Sequence, residues 1–415
     1  MRRRSFFGSV AALGTMSFLT PEVKAQTSSA DLKIIGLELW RITGDPKRYD
    51  AYLDEEYPKG GMVRPEGQRQ QTPGCIYVKI LTDAGIEGFS GPIDQSVANE
   101  VMRARNIIGM DPLAIDSIWD GMVTGNNRYT GNYMYGVSAI TNTLWDLKGK
   151  FCNLPVYRLL GGSRKVLNCY ATTIGMPIDT LDEVAEGAAR VKAVGFTGQK
   201  WFPTLGPRDG AAGCEYNINM MRTLREVVGN EDEIMIDGLT RWDIAFALKW
   251  CRAVEKYEPR WLEEPFQTYS QLEPLARLRE MTGIPVSTGE HNYNLWEFHE
   301  LFKAGSIDIA NPDPEWCGGI TQILKICALA FARGLIVSPH NMQNHPLAHL
   351  VASQPEAVCP YFEYRHGRYM GNKYFELDPM EHNGQSQIVL SDRPGFGIEL
   401  DESRIVNREL IFSRS

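Results

Sequence analysis

The chain has 415 residues, of which 43% are hydrophobic and 23% are charged, and its formal net charge is −8. This composition excludes a disordered protein, and the length suits two domains rather than one. Basic residues cluster only at positions 2–4, which argues against a nucleic-acid partner. The eight cysteines form no CxxC pair, so they are predicted to be buried thiols and not a disulfide framework.

Residues 1–25 have the pattern of an export signal. Three arginines precede a mildly apolar stretch that runs to Leu19, and Val23-Lys24-Ala25 then offers a small residue suited to cleavage. The order Arg3-Arg4-Ser5-Phe6-Phe7 resembles the twin-arginine class of signal peptides, which predicts a location in the bacterial periplasm. If the segment is instead a basic tail, the protein is cytoplasmic. The stretch is too short and interrupted to span a membrane, and no other segment qualifies.

Residues 31–162 have the pattern of a separate α+β domain. Strands are predicted at 31–42 and 75–90, and the second contains the hairpin turn Asp83-Ala84-Gly85. The stretch 44–73 is rich in Gly, Pro and charge and is predicted to be a long loop, of the kind that forms lids or is disordered. Helices are expected at about 93–108, 112–122 and 133–149.

From Val166 onward, strands and helices alternate, which calls for a parallel sheet. Two strands are predicted at 166–172 and 195–202. Six further apolar runs end at Asp237, Glu263, Glu290, Asp313, His340 and Glu363. Their spacing of 23–27 residues fits a strand, a helix and two short loops. Eight strands favour a closed barrel, and the tail 385–415, which has no helix partner, is expected to return to the first domain.

In a closed barrel the C-terminal ends of all the strands meet on one face, where barrel enzymes place their chemistry. Three carboxylates at Asp237, Glu263 and Glu290 would repel one another without a cation, and oxygen-only ligation points to Mg²⁺. Acids that merely cap the following helices are the alternative, but three in register favour a metal site. Glu263 and Glu264 are adjacent, so only one of them can point into the barrel mouth.

The other candidate residues suit proton transfer and charge stabilisation. Asp313 and His340 can form a base dyad, in which the carboxylate fixes the tautomer and raises the basicity of the imidazole. Glu363 could donate to a developing oxyanion if protonated, or orient a neighbour, and His291 could be a second acid or support a ligand. Lys200, on the second barrel strand, could stabilise a substrate carboxylate or its enediolate.

The residues of this series resemble the enolase superfamily, specifically its mandelate racemase/muconate lactonizing enzyme branch. The matching segments occur in the order IMIDG, WLEEP, TGEH, NPDPEWCGGI, VSPH and YFEY. The resemblance implies an α/β fold with a modified TIM barrel, (β/α)7β, at 166–384 and an N-terminal α+β capping domain at 31–162, completed by 385–415. It also implies Mg²⁺, with Glu263 rather than Glu264 as a ligand and Asp313–His340 as the base dyad.

One departure from the family pattern bears on the reaction. Racemases of this branch carry Lys-x-Lys on the second barrel strand, whereas this chain has Lys200-Trp201-Phe202. With a base on one face only, His340 is expected to remove the proton α to a carboxylate, and the β-hydroxyl then leaves. TGEH and the GPRDG insertion resemble rhamnonate-dehydratase-like members, which predicts an acid-sugar (aldonate) dehydratase, a hydro-lyase that forms a 2-keto-3-deoxy acid.

Three other functions are compatible with parts of this pattern. An epimerase, racemase or cycloisomerase of an acid sugar would use the same site, a barrel glycosidase would need no metal triad, and a sugar-binding protein would need no base dyad. Contacts to the acid-sugar substrate are expected from the capping-domain loops, with Arg64, Arg128 and Tyr129 as candidates. The protein is expected to be a homo-oligomer.

Overall fold

The computed structural model of the protein describes residues 32–64, 67, 69–124, 129–267, 272–365 and 373–415. The export signal and Arg128 lie outside these residues, so both stay predictions. Across these described ranges, no helix combines the length and the apolar character needed to cross a membrane.

The helices and strands follow the predicted order. The strands are β1 (Ile34–Thr43), β2 (Gly74–Thr82), β3 (Glu87–Ile93), β4 (Val166–Thr172), β5 (Gly198–Trp201), β6 (Glu233–Asp237), β7 (Trp261–Glu263), β8 (Val286–Thr288), β9 (Ile309–Ala310), β10 (Ile336–Val337), β11 (Phe362–Arg365), β12 (Gln387–Val389) and β13 (Asn407–Arg414). The helices are α1 (Pro46–Lys59), α2 (Gln95–Arg103), α3 (Ile115–Val123), α4 (Tyr133–Cys152), α5 (Val156–Leu159), α6 (Leu181–Ala193), α7 (Gly210–Val228), α8 (Ile244–Val254), α9 (Leu272–Met281), α10 (Leu295–Lys303), α11 (Gly319–Phe331) and α12 (Asn344–Ser353).

An antiparallel sheet of order β13-β1-β2-β3 forms the first domain with its helices. The predicted hairpin is present, and Gly85 takes φ +75° in its turn, a conformation that favours glycine. The end of the chain returns to this sheet, because β13 pairs antiparallel with β1. The strand β12, in contrast, pairs antiparallel with β4, the first strand of the second sheet.

The stretch 44–73 differs from its prediction as a long loop, because α1 occupies residues 46–59. Asp45 caps this helix by accepting hydrogen bonds from the Lys47 and Arg48 N–H groups, and Pro46 supplies a φ suited to the first turn. Leu53 and Tyr57 are buried on one face of the helix. The glycines and Pro58 that suggested a loop lie at the helix end, where they terminate it.

Eight parallel strands, β4 to β11, form the second sheet, in the order β10-β9-β8-β7-β6-β5-β4-β11. The last strand, β11, pairs with the first, β4, so the sheet curls round on itself. Loop contacts join the remaining edges: the Val337 N–H donates to the Val358 carbonyl at 2.8 Å, and Asn341 Nδ2 donates to the Glu363 carbonyl at 2.6 Å. The predicted modified TIM barrel with a capping domain is confirmed.

Helix α4 of the first domain contacts the barrel directly. It is buried over most of its 20 residues, and Asn142 joins it to the barrel by donating to the Pro314 carbonyl at 2.8 Å and accepting from the Ile320 N–H at 3.0 Å. Trp145 Nε1 donates to Thr321 Oγ1 at 2.9 Å. These contacts fix the loop that follows Asp313, so the capping domain helps to position the barrel mouth.

Candidate active site

The six predicted residues converge at the C-terminal face of the barrel. Two of them are the final residues of their strands: Asp237 ends β6 and Glu263 ends β7. The others do not end strands as the spacing suggested. Glu290, Asp313 and His340 lie two or three residues beyond β8, β9 and β10, and Glu363 is the second residue of β11.

Three carboxylates form a compact acidic cluster. One oxygen from each of Asp237, Glu263 and Glu290 lies within 4.8 Å of the others. Burial, and next the Glu263 charge, raise the pKa of Asp237 well above its usual range, and burial raises the pKa of Glu290 to about 7. Both shifts come chiefly from burial, and neighbouring carboxylates add to them. The three carboxylate oxygens therefore fit a hard divalent cation, which would stabilise their charged forms in this buried site.

Lys200 is enclosed between two carboxylates, and its side chain is 1% exposed. Its Nζ lies 2.6 Å from Glu263 Oε1 and 2.9 Å from Glu363 Oε1. Burial alone lowers the pKa of Lys200, but Glu263 and Glu363 raise it well above its usual range. Lys200 is therefore a fixed ammonium and not a base. The centroid of the Phe202 ring lies 5.7 Å from Nζ; Phe202 stands where the family resemblance implies a second lysine.

His340 and Asp313 form the predicted pair. His340 Nδ1 lies 2.6 Å from Asp313 Oδ2, and Asp313 also accepts hydrogen bonds from the backbone N–H groups of Met342 and Glu315. The other imidazole nitrogen, Nε2, lies 3.3 Å from Glu290 Oε2. Burial lowers the pKa of His340, but the charges of Glu290, Glu363 and Asp313 raise it to about 9. The imidazole thus links the dyad to the acidic cluster.

Glu363 is held as an ionised carboxylate. Thr172 Oγ1 donates to its Oε1 at 2.5 Å, and the Asn341 N–H donates to its Oε2 at 2.9 Å. Burial raises the pKa of Glu363, but the charges of Lys200, His340 and Arg365 lower it to about 2. This environment favours the orienting role over that of a protonated donor.

His291 points to Glu264 rather than to the acidic cluster. Its Nδ1 lies 2.7 Å from Glu264 Oε2 and 3.6 Å from Glu290 Oε1. Burial lowers the pKa of His291, but the hydrogen bond to Glu264 and its charge raise it to about 9. Glu263 faces Lys200 and Glu264 faces His291, so the two adjacent glutamates have separate partners.

The candidate substrate contacts in the capping domain have other partners. Arg64 forms ion pairs with Asp50 and Asp54, which both lie in α1. The Tyr129 ring packs edge-on against Trp296 at 6.3 Å and is 51% exposed. The Arg64 ion pairs lie within the capping domain, whereas the Tyr129–Trp296 contact joins that domain to α10 of the barrel. Neither involves the residues of the acidic cluster.

Trp316 is a residue of the site that the sequence did not indicate. Its ring centroid lies 5.2 Å from that of His340 and 5.8 Å from that of His291, and it stacks on Tyr135 of α4 at 5.7 Å. The signals were its place three residues after Asp313 and within the matching segment NPDPEWCGGI, but neither distinguishes a tryptophan of the site from one that only packs. Trp316 joins both histidines to the capping domain.

Comparisons with known proteins agree with this geometry. Residues 183–404 match the family Enolase C-terminal domain-like, and residues 66–161 match the Mandelate racemase / muconate lactonizing enzyme, N-terminal domain. L-rhamnonate dehydratase from Saccharopolyspora erythraea is 33% identical over 405 residues, which cover 89% of this chain and 97% of that protein.

Two solved structures share the fold over almost their whole length. The 3,6-anhydro-D-galactonate cycloisomerase from Zobellia galactanivorans has a TM-score of 0.73 and 25% identity, covering 90% of this chain and 100% of that one. A mandelate racemase/muconate lactonizing protein from Paracoccus denitrificans, complexed with magnesium, has a TM-score of 0.76 and 26% identity. The match covers 92% of this chain and 99% of that one. The expected enzyme class, a hydro-lyase, agrees with the dehydratase relative. The chain therefore belongs to the enolase superfamily, in its mandelate racemase/muconate lactonizing enzyme branch.

Proposed function

We propose that this protein is a Mg²⁺-dependent aldonate dehydratase that forms a 2-keto-3-deoxy acid, with L-rhamnonate as the first substrate to test. One observation carries the proposal: the Asp313–His340 pair lies against the acidic cluster, while β5 carries Lys200 as its one lysine and is followed by Phe202. Among the described residues of the site, His340 pairs with Asp313, and its Nε2 lies 3.3 Å from Glu290. The His291 imidazole is instead held by Glu264, and Lys200 is held as an ammonium beside Phe202. The relative named for L-rhamnonate supports the choice of substrate.

The ion would be held by Asp237, Glu263 and Glu290. When bound, Mg²⁺ supplies Lewis-acid stabilisation of the negative charge that develops on the substrate carboxylate. Without such stabilisation the proton α to a carboxylate is too weakly acidic for an imidazole to remove. Lys200 keeps Glu263 and Glu363 paired, so that one ligand of the ion and the orienting acid stay fixed in the barrel.

His340 performs both proton transfers in the proposed reaction. Its Nε2 takes the α-proton, and the electron pair of that C–H bond goes to the carboxylate to form the enediolate. The electrons then return to form the α,β double bond as the β-carbon–oxygen bond breaks. The leaving hydroxyl takes the proton from His340 and departs as water, and the enol tautomerises to the 2-keto acid. Asp313 stabilises the imidazolium that exists between the two transfers.

The test is turnover of purified protein with Mg²⁺ against a library of aldonates and aldarates that includes L-rhamnonate. Formation of 2-keto acid and exchange of the α-proton with deuterium are followed together. Keto-acid formation that requires Mg²⁺ and is lost in His340→Asn supports the proposal. Exchange without keto acid would reject the dehydratase function, and no exchange with any substrate would reject the enolase-type mechanism.

Epimerisation or cycloisomerisation of an acid sugar is the second candidate, because the cycloisomerase from Zobellia galactanivorans shares the fold at 25% identity. These reactions use the same cluster and differ in what leaves or returns at the neighbouring carbon. The same assay separates them: a product isomeric with its substrate, formed without loss of water, favours the second candidate.

A further inference from the structure

We propose that Glu264 is a positioning residue that sets the spacing of the three carboxylates Asp237, Glu263 and Glu290. The proposal rests on the proposed function in one respect, because it takes these three as the ligands of the ion. Glu264 directly follows Glu263, and it is 1% exposed. A buried acid so close to a metal site either binds the ion or organises the residues that do.

The hydrogen bonds of the Glu264 side chain fit the organising role. Its Oε2 lies 2.7 Å from His291 Nδ1, while its Oε1 accepts from Thr288 Oγ1 at 2.9 Å and from the Gly289 N–H at 3.3 Å. Both oxygens are thus engaged with the loop after β8. These three donors lie within two residues of Glu290, on both sides of it in the sequence. The Glu264 carboxylate therefore holds the backbone before and after that ligand.

The backbone of Glu264 is hydrogen-bonded to the segments that carry Asp237 and Glu290. Its carbonyl accepts from the Thr240 N–H at 2.7 Å, in the segment that begins at Asp237. Its own N–H donates to the Ser287 carbonyl of β8 at 2.9 Å. One step earlier, the Glu263 carbonyl accepts from the Gly238 N–H at 2.8 Å. Glu264 therefore contacts the segments on both sides of its own strand, each of which carries a ligand.

Backbone conformation shows that these strand ends are held against local preference. Glu264 has φ +36°, Leu239 has φ +52° and Thr240 has φ +57°. Positive φ is costly for residues with a Cβ, and a β-branched threonine is a clear outlier there. Such conformations persist where the surrounding contacts determine them, and they concentrate at functional sites. The Thr240–Glu264 hydrogen bond joins two of the strained residues directly.

Two substitutions separate the effect of the length of the Glu264 side chain from the effect of its charge. Glu264→Asp keeps the negative charge but withdraws it by one methylene from His291, Thr288 and Gly289, whereas Glu264→Gln keeps the length and removes the charge. Glu376→Gln is the matched control, because Glu376 is also buried and lies 3.0 Å from a buried imidazole, that of His345, without contacting the cluster. Mg²⁺ binding without substrate is measured by titration calorimetry, and folding by thermal melting.

We expect Mg²⁺ to bind about 10- to 100-fold more weakly to both Glu264 variants, the usual range for residues that support metal ligands. Rising Mg²⁺ should restore part of their kcat, and Glu376→Gln should bind Mg²⁺ like the wild type. Wild-type affinity in Glu264→Asp, with weakening only in Glu264→Gln, would show a charge effect and overturn the proposal. Wild-type affinity in both variants would overturn it as well.

The outcome is separable from that of the proposed function. If the wild type binds Mg²⁺ but converts no aldonate, the dehydratase function fails and the comparison of affinities still decides the role of Glu264. If aldonates are dehydrated and both variants bind Mg²⁺ normally, the function stands and the positioning role fails. A wild type that does not bind Mg²⁺ would overturn both.

Discussion

The strongest prediction concerns Asp313→Asn, which removes one charge and leaves the shape of the side chain. Asp313 is 0% exposed and accepts three hydrogen bonds, from His340 Nδ1 and from the Met342 and Glu315 N–H groups. An asparagine has one carboxamide oxygen for these donors, and its NH₂ group must face another donor. The substitution therefore disturbs the dyad without adding volume.

Its magnitude follows from the hydrogen bond that fixes His340. A hydrogen bond to a charged group is worth about 1.5–3 kcal/mol, and each 1.36 kcal/mol is about tenfold in rate, so kcat/KM should fall about 10- to 150-fold. Asp313 also raises the pKa of His340. Because the base must be neutral, activity rises with pH through that pKa, and the rising limb should move to lower pH in the variant.

The assay measures keto-acid formation, α-deuterium exchange and Mg²⁺ affinity side by side. The rates of keto-acid formation and of deuterium exchange should fall together. Mg²⁺ binding should be retained, because Asp313 is not one of the three carboxylates of the acidic cluster. Asp308→Asn is the matched control, because Asp308 precedes the same strand, β9, at the opposite end of the barrel and accepts from Arg279 and the Val286 N–H. A loss of less than threefold, or an equal loss in Asp308→Asn, would refute this account of the dyad.

Three further predictions follow from single features of the structure. Lys200→Met should lower the free energy of unfolding by about 3–5 kcal/mol in urea titrations, because Glu263 and Glu363 would remain buried without the ammonium group that pairs with both. An unchanged urea midpoint would contradict this. Burial and the neighbouring His345 charge lower the pKa of His349 to about 3, so the folded protein holds this imidazole in its neutral form. Stability should therefore be lost as pH falls from about 6.5, the unfolded value, toward 3, and His349→Gln should flatten that loss. Removing divalent ions with EDTA should lower the Tm, and Mg²⁺ at about 100 times its Kd should add about 2.7 kcal/mol; a Tm insensitive to Mg²⁺ would contradict the metal site.

The sequence by itself determined the barrel and which side chains meet at its C-terminal face. Strand and helix alternation is a local pattern, and parallel strands must all end on one face, so regular spacing was enough to bring Asp237, Glu263, Glu290, Asp313 and His340 together. The sequence did not predict α1, because Pro58 and the glycines that follow it terminate this helix, and the same residue types are common in loops.

Only the tertiary structure decided how the charged groups are paired. Lys200 lies between Glu263 and Glu363, which are 63 and 163 residues away in the chain, and no local pattern encodes such a contact. The same is true of Trp316, whose ring lies between the histidines and the capping domain. Electrostatic state depends on burial and on neighbours a few ångströms away. The protonation state of Lys200 therefore emerges only once the barrel closes.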